Sequence, residues 1–149
     1  MRKDSVKKKL NTIDWEFADK TVMIVDDSIV RGNTSRRIIE MAKEAGAKQV
    51  FFASSAPPII HPNVYGIDMP ARAEYVAHDR SIKEIAEAIG ADWLIYQELD
   101  DLVEACLGGG KDKPANFDCS CFDGVYVTGG ITEEYLSRVE RVRNDAAKT

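Results

Sequence analysis

The stretch VMIVDDSIVRGNTS, from Val22 to Ser35, decides how this chain folds. Four apolar residues run directly into two adjacent carboxylates, Asp26 and Asp27, which lead into a short loop with one glycine and several hydroxyl groups. Like charges side by side repel each other, and a surrounding of low dielectric constant strengthens the repulsion. We therefore expect a cation or a ligand rich in hydroxyl groups beside the two aspartates.

The composition is that of a single globular domain. The chain has 149 residues, of which 44% are hydrophobic and 30% are charged, and its net charge is −5. This length supports one core, and the acidic balance argues against a nucleic-acid-binding protein. No apolar run has the length of a membrane helix, and the basic start MRKDSVKKKL lacks the apolar segment of a signal peptide. We expect a cytoplasmic protein that binds neither nucleic acids nor membranes.

The opening stretch begins a strand–helix–strand unit. VMIV is short and rich in β-branched residues, which is typical of a strand covered on both faces. NTSRRIIEMAKEAGAK carries a helical apolar stripe, with Asn33 or Thr34 as the N-cap and Gly46 at the end. QVFFASSAPP then predicts a second buried strand. Together these segments predict a βαβ unit and therefore a parallel sheet.

The rest of the chain predicts further helices, one more strand and a hairpin. SIKEIAEAIG predicts a helix with a capping box formed by Ser81 and Glu84. ADWLIYQ predicts a third strand, and ELDDLVEACLGGG a helix whose inward face includes Cys106. The Asp-Gly pair in CSCFDGVYVTGG predicts a β-hairpin, and TEEYLSRVERVRND a last helix starting at Thr132. The predicted fold is α/β, a parallel sheet flanked by helices, with a C-terminal β-hairpin and helix.

The loop after the first strand has the features of a phosphate site. Ligands of open parallel sheets gather at the carboxyl ends of the strands, where loop amides and a helix N-terminus attract phosphate. Carboxylates accept hydrogen bonds from sugar hydroxyls and bind Mg²⁺, so Asp26 and Asp27 predict a phosphorylated ribose with Mg²⁺ beside it. The phosphate loops of P-loop NTPases and Rossmann domains are absent. The predicted site comprises Asp26, Asp27, Ser28, Arg31, Gly32, Asn33, Thr34 and Ser35.

VMIVDDSIVRGNTS resembles the phosphoribosylpyrophosphate (PRPP) signature of the type I phosphoribosyltransferases. IIEMAKEAGAKQVFFASSAPPI, PNVYGIDMP and IGADWLIYQELDDLVEA extend the resemblance, over essentially the whole chain, to the branch called amidophosphoribosyltransferases. The resemblance implies transfer of ammonia to PRPP, which gives 5-phosphoribosylamine for purine biosynthesis. It implies no catalytic side chain in this segment. Asp26 and Asp27 would contact the ribose hydroxyls beside Mg²⁺. Ser28 and residues 31–35 would hold the 5′-phosphate of PRPP, or of an inhibitory nucleotide such as AMP or GMP.

Several features depart from that family. Its members begin with a glutaminase domain whose N-terminal cysteine is the nucleophile, and this chain begins Met1-Arg2-Lys3, so we expect no glutamine hydrolysis here. The chain resembles about the final third of those enzymes, as one partial domain over residues 1–149. We divide it into a basic flexible-loop remnant at 1–20, a βαβ PRPP-binding core at 21–60, and C-terminal helices, strand and hairpin at 61–149.

Some family members also bind an iron–sulfur cluster through cysteines. At two of the ligand positions this chain has Asn63 and Asp118, and only Cys121 matches. A cluster needs about four thiolates, so we expect none.

Three other interpretations remain open. The aspartate pair could be a solvated acidic loop, the domain a nucleotide-sensing or oligomerisation module without chemistry, or the chain a folded remnant without a ligand.

The predicted sheet has three strands, fewer than the roughly five of an average sheet. Because an incomplete parallel sheet exposes unpaired backbone at its edge, we expect a homo-oligomer.

Overall fold

The structure, a computed structural model, describes residues 14–67, 69–108 and 114–146. The predicted flexible-loop remnant at residues 1–20 therefore lies outside the described residues up to residue 13. Across the described ranges, no helix combines the length and the apolar character that a membrane span requires. The elements in chain order are α1 (Asp14–Phe17), β1 (Thr21–Asp26), α2 (Asn33–Glu44), β2 (Gln49–Ser54), a 3₁₀ turn (Arg72–Glu74), α3 (Ile82–Ile89), β3 (Trp93–Tyr96), α4 (Leu99–Leu107), α5 (Ser120–Asp123) and α6 (Glu133–Ala146).

The three strands form one parallel sheet in the order β1-β2-β3. Ile24 pairs with Phe52, and Phe52 pairs with Leu94. The predicted βαβ unit, the third strand and the parallel sheet are therefore confirmed. This topology brings the carboxyl ends of all three strands to one edge of the sheet, where the loop after β1 lies.

The core lies on one face of the sheet. Val50, Phe52 and Leu94 are buried there against α2 and α3. On the other face, Met23 and Val25 of β1 keep 54% and 66% of their surface exposed, and Trp93 of β3 keeps 55%. The prediction that β1 is covered on both faces is wrong for the described part of the chain, because the helices that pack on the sheet there lie on one side.

The ends of α2 and α3 test the helix caps that the sequence predicts. Gly32, at φ +74°, is the N-cap of α2 and offers no side-chain cap, so the prediction of Asn33 or Thr34 in that role is wrong. A left-handed glycine turns the chain directly into the helix, which makes Asn33 its first residue. Gly46 follows the end of α2 at φ +90° as predicted. The capping box of α3 is also confirmed, with Ser81 N donating to Glu84 Oε2 at 2.8 Å.

The predicted C-terminal hairpin is wrong. Residues 120–123 form the short helix α5, whose start is held by Asp118 Oδ1 accepting from Ser120 N at 3.0 Å. Gly124 ends the helix at φ +72° and donates from its amide to the Ser120 carbonyl at 3.0 Å. The Asp-Gly pair thus supplies the left-handed residue of a helix end instead of a hairpin turn, because both structures require the same glycine conformation.

The last two long helices are present, with one correction. No residue of α4 is buried, and Cys106 is exposed, so the prediction that it faces inward is wrong. The helix follows β3 without packing closely on the core, and its apolar stripe is only half covered. Thr132 precedes α6, and its Oγ1 accepts from Tyr135 N at 3.2 Å, which confirms the predicted start of the last helix.

Candidate functional site

The loop between β1 and α2 is fixed at its first end and in its middle. The carbonyl of Asp26 accepts from Ser55 N at 2.9 Å, which ties the end of β1 to the residue after β2. In the middle of the loop, Ile29 is only 1% exposed and belongs to the core. An apolar anchor of this kind holds the polar residues on either side of it at the surface.

The loop lines an open cavity of about 270 Å³ at the start of α2. Six of the eight predicted site residues line it, all but Asp26 and Asp27, and Val30 contributes as well. Ser35 is buried, whereas Asn33 and Thr34 are exposed. The lining residues are Ser28, Val30, Arg31, Gly32, Asn33, Thr34 and Ser35.

The first residues of α2, Asn33, Thr34 and Ser35, line this cavity, so the N-terminus of the helix lies beside it. The first backbone bond across the start of the helix runs from Arg36 N to the Gly32 carbonyl at 2.9 Å. The amides before Arg36 in the first turn have no intrahelical acceptor, and no acidic side chain lies in that turn. Because α2 has 12 residues, its dipole adds a partial positive charge at the same place. The arrangement suits an anion of phosphate size.

The two carboxylates lie beside the cavity, at the end of the strand. Asp26 Oδ1 accepts from Asp27 N at 3.1 Å, and Asp27 Oδ1 accepts from the Ser28 hydroxyl at 3.3 Å. Within the described ranges, these two hydrogen bonds each use one oxygen of the carboxylate concerned. Magnesium is usually bound by one or two carboxylates together with water and ligand phosphates, so this pair fits a Mg²⁺ ion that arrives with a phosphorylated ligand. The described ranges contain no cluster of three or more ligating side chains.

Arg31 is held by a residue that the sequence did not reveal. Its Nε donates to Glu74 Oε2 at 2.8 Å, and this hydrogen bond and that from Ala71 N hold the pKa of Glu74 below its ordinary value. Next to this pair, Val76 N donates to the Val30 carbonyl at 2.8 Å. Glu74 lies 43 positions from Arg31, in a segment without periodicity, so no local pattern signals the contact.

The positions that resemble cluster ligands hold a hydrogen-bonded pair instead. Asn63 Nδ2 donates to Asp118 Oδ2 at 3.4 Å, and Asn63 is 3% exposed. Burial and nearby carboxylates raise the pKa of both Cys119 and Cys121, which favours the protonated thiols. An amide and a carboxylate at two of the ligand positions do not fit an iron–sulfur cluster, which is held by cysteine thiolates.

Comparison with solved structures defines the class of the fold. A glutamine PRPP amidotransferase from B. subtilis, solved in complex with ADP and GMP, superposes with a TM-score of 0.69 at 41% identity. The match covers 77% of this chain and 25% of that one. The parallel sheet with its flanking helices is thus part of a type I phosphoribosyltransferase fold.

Sequence comparison then gives the particular relatives. The amidophosphoribosyltransferase of Pseudomonas aeruginosa is 59% identical over 147 residues, and that of Escherichia coli is 54% identical over 148. No family model matches the chain. The alignments cover 99% of this chain and 29% of each relative. The chain is therefore a homologue of amidophosphoribosyltransferases that corresponds to about three tenths of their length.

Proposed function

We propose that this chain is the PRPP- and nucleotide-binding part of an amidophosphoribosyltransferase, which transfers ammonia to PRPP in purine biosynthesis. One observation carries the proposal. A cavity of about 270 Å³ opens at the N-terminus of a 12-residue helix, directly after two carboxylates at the carboxyl end of a parallel strand. The names of the relatives and of the solved structure support the same ligand class.

In this proposal each part of the loop has its own role. The 5′-phosphate binds the first amides of α2, the hydroxyls of Ser28 and Thr34, and the Arg31 guanidinium. Asp26 and Asp27 accept hydrogen bonds from the ribose hydroxyls and stabilise the positive charge that develops on the ribose as pyrophosphate leaves. Bound Mg²⁺ supplies charge neutralisation on the pyrophosphate.

Rate enhancement then comes from positioning and electrostatics. In this proposal no side chain of the described ranges needs to act as a general base. We assign no glutamine hydrolysis to this chain. A cytoplasmic location and a homo-oligomeric state belong to the same proposal.

A second function is favoured by the shape of the site. The residues that would hold a phosphate line the cavity, whereas Asp26 and Asp27 lie outside its lining. A site of this shape suits a nucleotide-sensing or oligomerisation module that binds AMP or GMP and performs no chemistry. Such a module binds GMP without turning over PRPP.

Calorimetric titration with PRPP and with GMP, each with and without Mg²⁺, tests the proposal. We expect both ligands to bind, and Mg²⁺ to strengthen PRPP binding more than GMP binding. Ammonia-dependent release of pyrophosphate then separates the enzyme from the sensing module. If neither ligand binds, the proposed function is wrong for this chain.

A matched pair of variants shows whether binding occurs at the cavity. Asn33→Asp adds a negative charge at the first residue of α2, which favours the helix but repels a phosphate, so GMP binding should weaken about tenfold. Asn116→Asp makes the same change at an exposed position outside the cavity lining and should leave GMP binding unchanged. Equal effects of the two changes would place the phosphate elsewhere.

A further inference from the structure

We infer that Glu74 is a positioning residue, which orients the Arg31 guanidinium toward a phosphate bound in the cavity at the start of α2. The inference rests on the proposed function, because it deepens the role of Arg31 in the same site. Glu74 lies outside the cavity lining. It acts through Arg31.

The geometry separates the two edges of the guanidinium. Arg31 Nε donates to Glu74 Oε2 at 2.8 Å, and no bond joins either Nη of Arg31 to another residue of the described ranges. Because the guanidinium is planar and its donors are in fixed directions, a bond at Nε sets the plane and leaves the two Nη groups for an anion. Arg31 itself lines the cavity. Glu74 and a phosphate can therefore bind the same side chain at once.

The Glu74 carboxylate is itself held in place. Its Oε1 accepts from Ala71 N at 3.1 Å, across the 3₁₀ turn at Arg72–Glu74. Two residues further on, Val76 is 4% exposed, and its amide is bonded to the Val30 carbonyl at 2.8 Å. The turn that carries Glu74 is thus fixed to the loop that carries Arg31.

The pair is poorly suited to stabilise the fold. The Arg31 and Glu74 side chains keep 50% and 49% of their surface exposed, and ion pairs between exposed side chains contribute little to stability. Orientation of Arg31 is the effect that such a pair can still have. The Glu74 carboxylate could also have the opposite effect on binding, because a fixed negative charge near the site would repel a phosphate. The two roles predict changes of opposite sign when the carboxylate is removed.

Calorimetric titration with GMP distinguishes these roles. We expect Glu74→Ala to weaken GMP binding about three- to tenfold, and Glu74→Gln to weaken it less, because the amide oxygen still accepts from Nε. In an Arg31→Ala background, Glu74→Ala should have no further effect. Glu40→Ala is the matched control, since Glu40 is a similarly exposed acid that pairs with Arg37, and it should leave binding unchanged. GMP binding that stays equal or tightens in Glu74→Ala would overturn the inference.

A measurement without ligand separates this inference from the proposed function. The Arg31 Nε–H resonance in the NMR spectrum should shift in Glu74→Ala and not in Glu40→Ala; an unmoved resonance overturns the pair itself. If the resonance shifts but the unaltered chain binds no GMP, the proposed function fails and the positioning role fails with it. If the unaltered chain binds GMP and Glu74→Ala does so equally well, the positioning role alone is wrong.

Discussion

The carboxylate of Asp92 accepts a hydrogen bond from the backbone amide of Val50 at 2.7 Å, just before β3 begins. The Asp92 amide returns a bond to the Val50 carbonyl at 2.9 Å. Lys43 is near the end of α2, and its Nζ lies 3.4 Å from Asp92 Oδ2. The same Nζ donates to the Gly90 carbonyl at 2.8 Å. One aspartate thus connects α2, β2 and the turn between α3 and β3.

Replacing this aspartate should therefore destabilise the sheet. In Asp92→Ala the Val50 amide loses its acceptor, and Val50 is 0% exposed. We expect the free energy of unfolding to fall by about 1–2 kcal/mol, measured by urea denaturation. Glu87→Ala, at an exposed helical position, is the control and should change stability by less than about 0.5 kcal/mol. Equal stability of the two variants would mean that water replaces the Asp92 carboxylate at Val50 without loss.

The contribution of Asp92 should also depend on pH in a definite direction. Its bonds to Val50 and Lys43 hold its pKa below the ordinary value of 3.8. A carboxyl group whose pKa is lower in the folded state stabilises above its unfolded pKa, and this stability is lost as the pH falls through the folded value. The stability difference between the unaltered chain and Asp92→Ala should therefore be constant near neutral pH and shrink below about pH 4. A difference that grows on acidification would contradict the assignment.

Gly32 should tolerate no side chain. It adopts φ +74°, and an added Cβ would lie 3.0 Å from Ile89 Cγ2 and 3.1 Å from Val76 Cγ2, both on buried residues. Gly32→Ala combines backbone strain of about 1–3 kcal/mol with these close contacts. Gly129→Ala is the matched control, because Gly129 has φ +66° and no atom within 4 Å of its added Cβ.

Thermal denaturation of the two variants isolates the contacts. We expect Gly32→Ala to melt at a clearly lower temperature than Gly129→Ala, and to bind GMP more weakly because the first turn of α2 is displaced. Equal melting temperatures would mean that Ile89 and Val76 move aside without loss.

The sequence predicts this fold best where local and long-range requirements agree. The βαβ unit is visible because β-branched runs, a helical stripe and Gly46 all indicate the same chain path. The Asp-Gly pair at residues 123–124 misleads because a hairpin turn and a helix end need the same glycine conformation. Burial of β1 on both faces is typical of parallel strands, yet Val25 is 66% exposed, because coverage depends on partners that the strand's own sequence does not encode.

The candidate site likewise has one part that the sequence predicts and one part that it does not. Residues 26–35 are contiguous, so their chemistry is visible in one stretch of sequence. Glu74 reaches Arg31 across 43 positions, and only the fold reveals that contact. Periodicity cannot indicate a pair formed by a loop and a 3₁₀ turn, since neither has a repeating pattern.

Asp27 should contribute more to binding of the ribose than to binding of the phosphate. Asp27→Asn removes a charge beside the proposed Mg²⁺ and ribose, outside the cavity lining. We expect it to weaken binding of Mg²⁺–PRPP by about tenfold and binding of inorganic phosphate much less, by calorimetry. Asp101→Asn, on an exposed face of α4, should change neither. An equal loss for both ligands in Asp27→Asn would remove the ribose role from this residue.

The exposed face of the sheet should drive self-association of this chain. Met23 and Val25 of β1 and Trp93 and Ile95 of β3 keep between 38% and 66% of their surface exposed, in a sheet type that is normally covered on both faces. We expect concentration-dependent association in sedimentation velocity experiments, because an apolar patch of this kind favours contact. Val25→Lys should reduce the association. Val127→Lys, at an equally apolar position that is 61% exposed but lies outside the strands, should not reduce it. A chain that stays monomeric at high concentration, or an equal effect of both variants, would show that the sheet face does not mediate association.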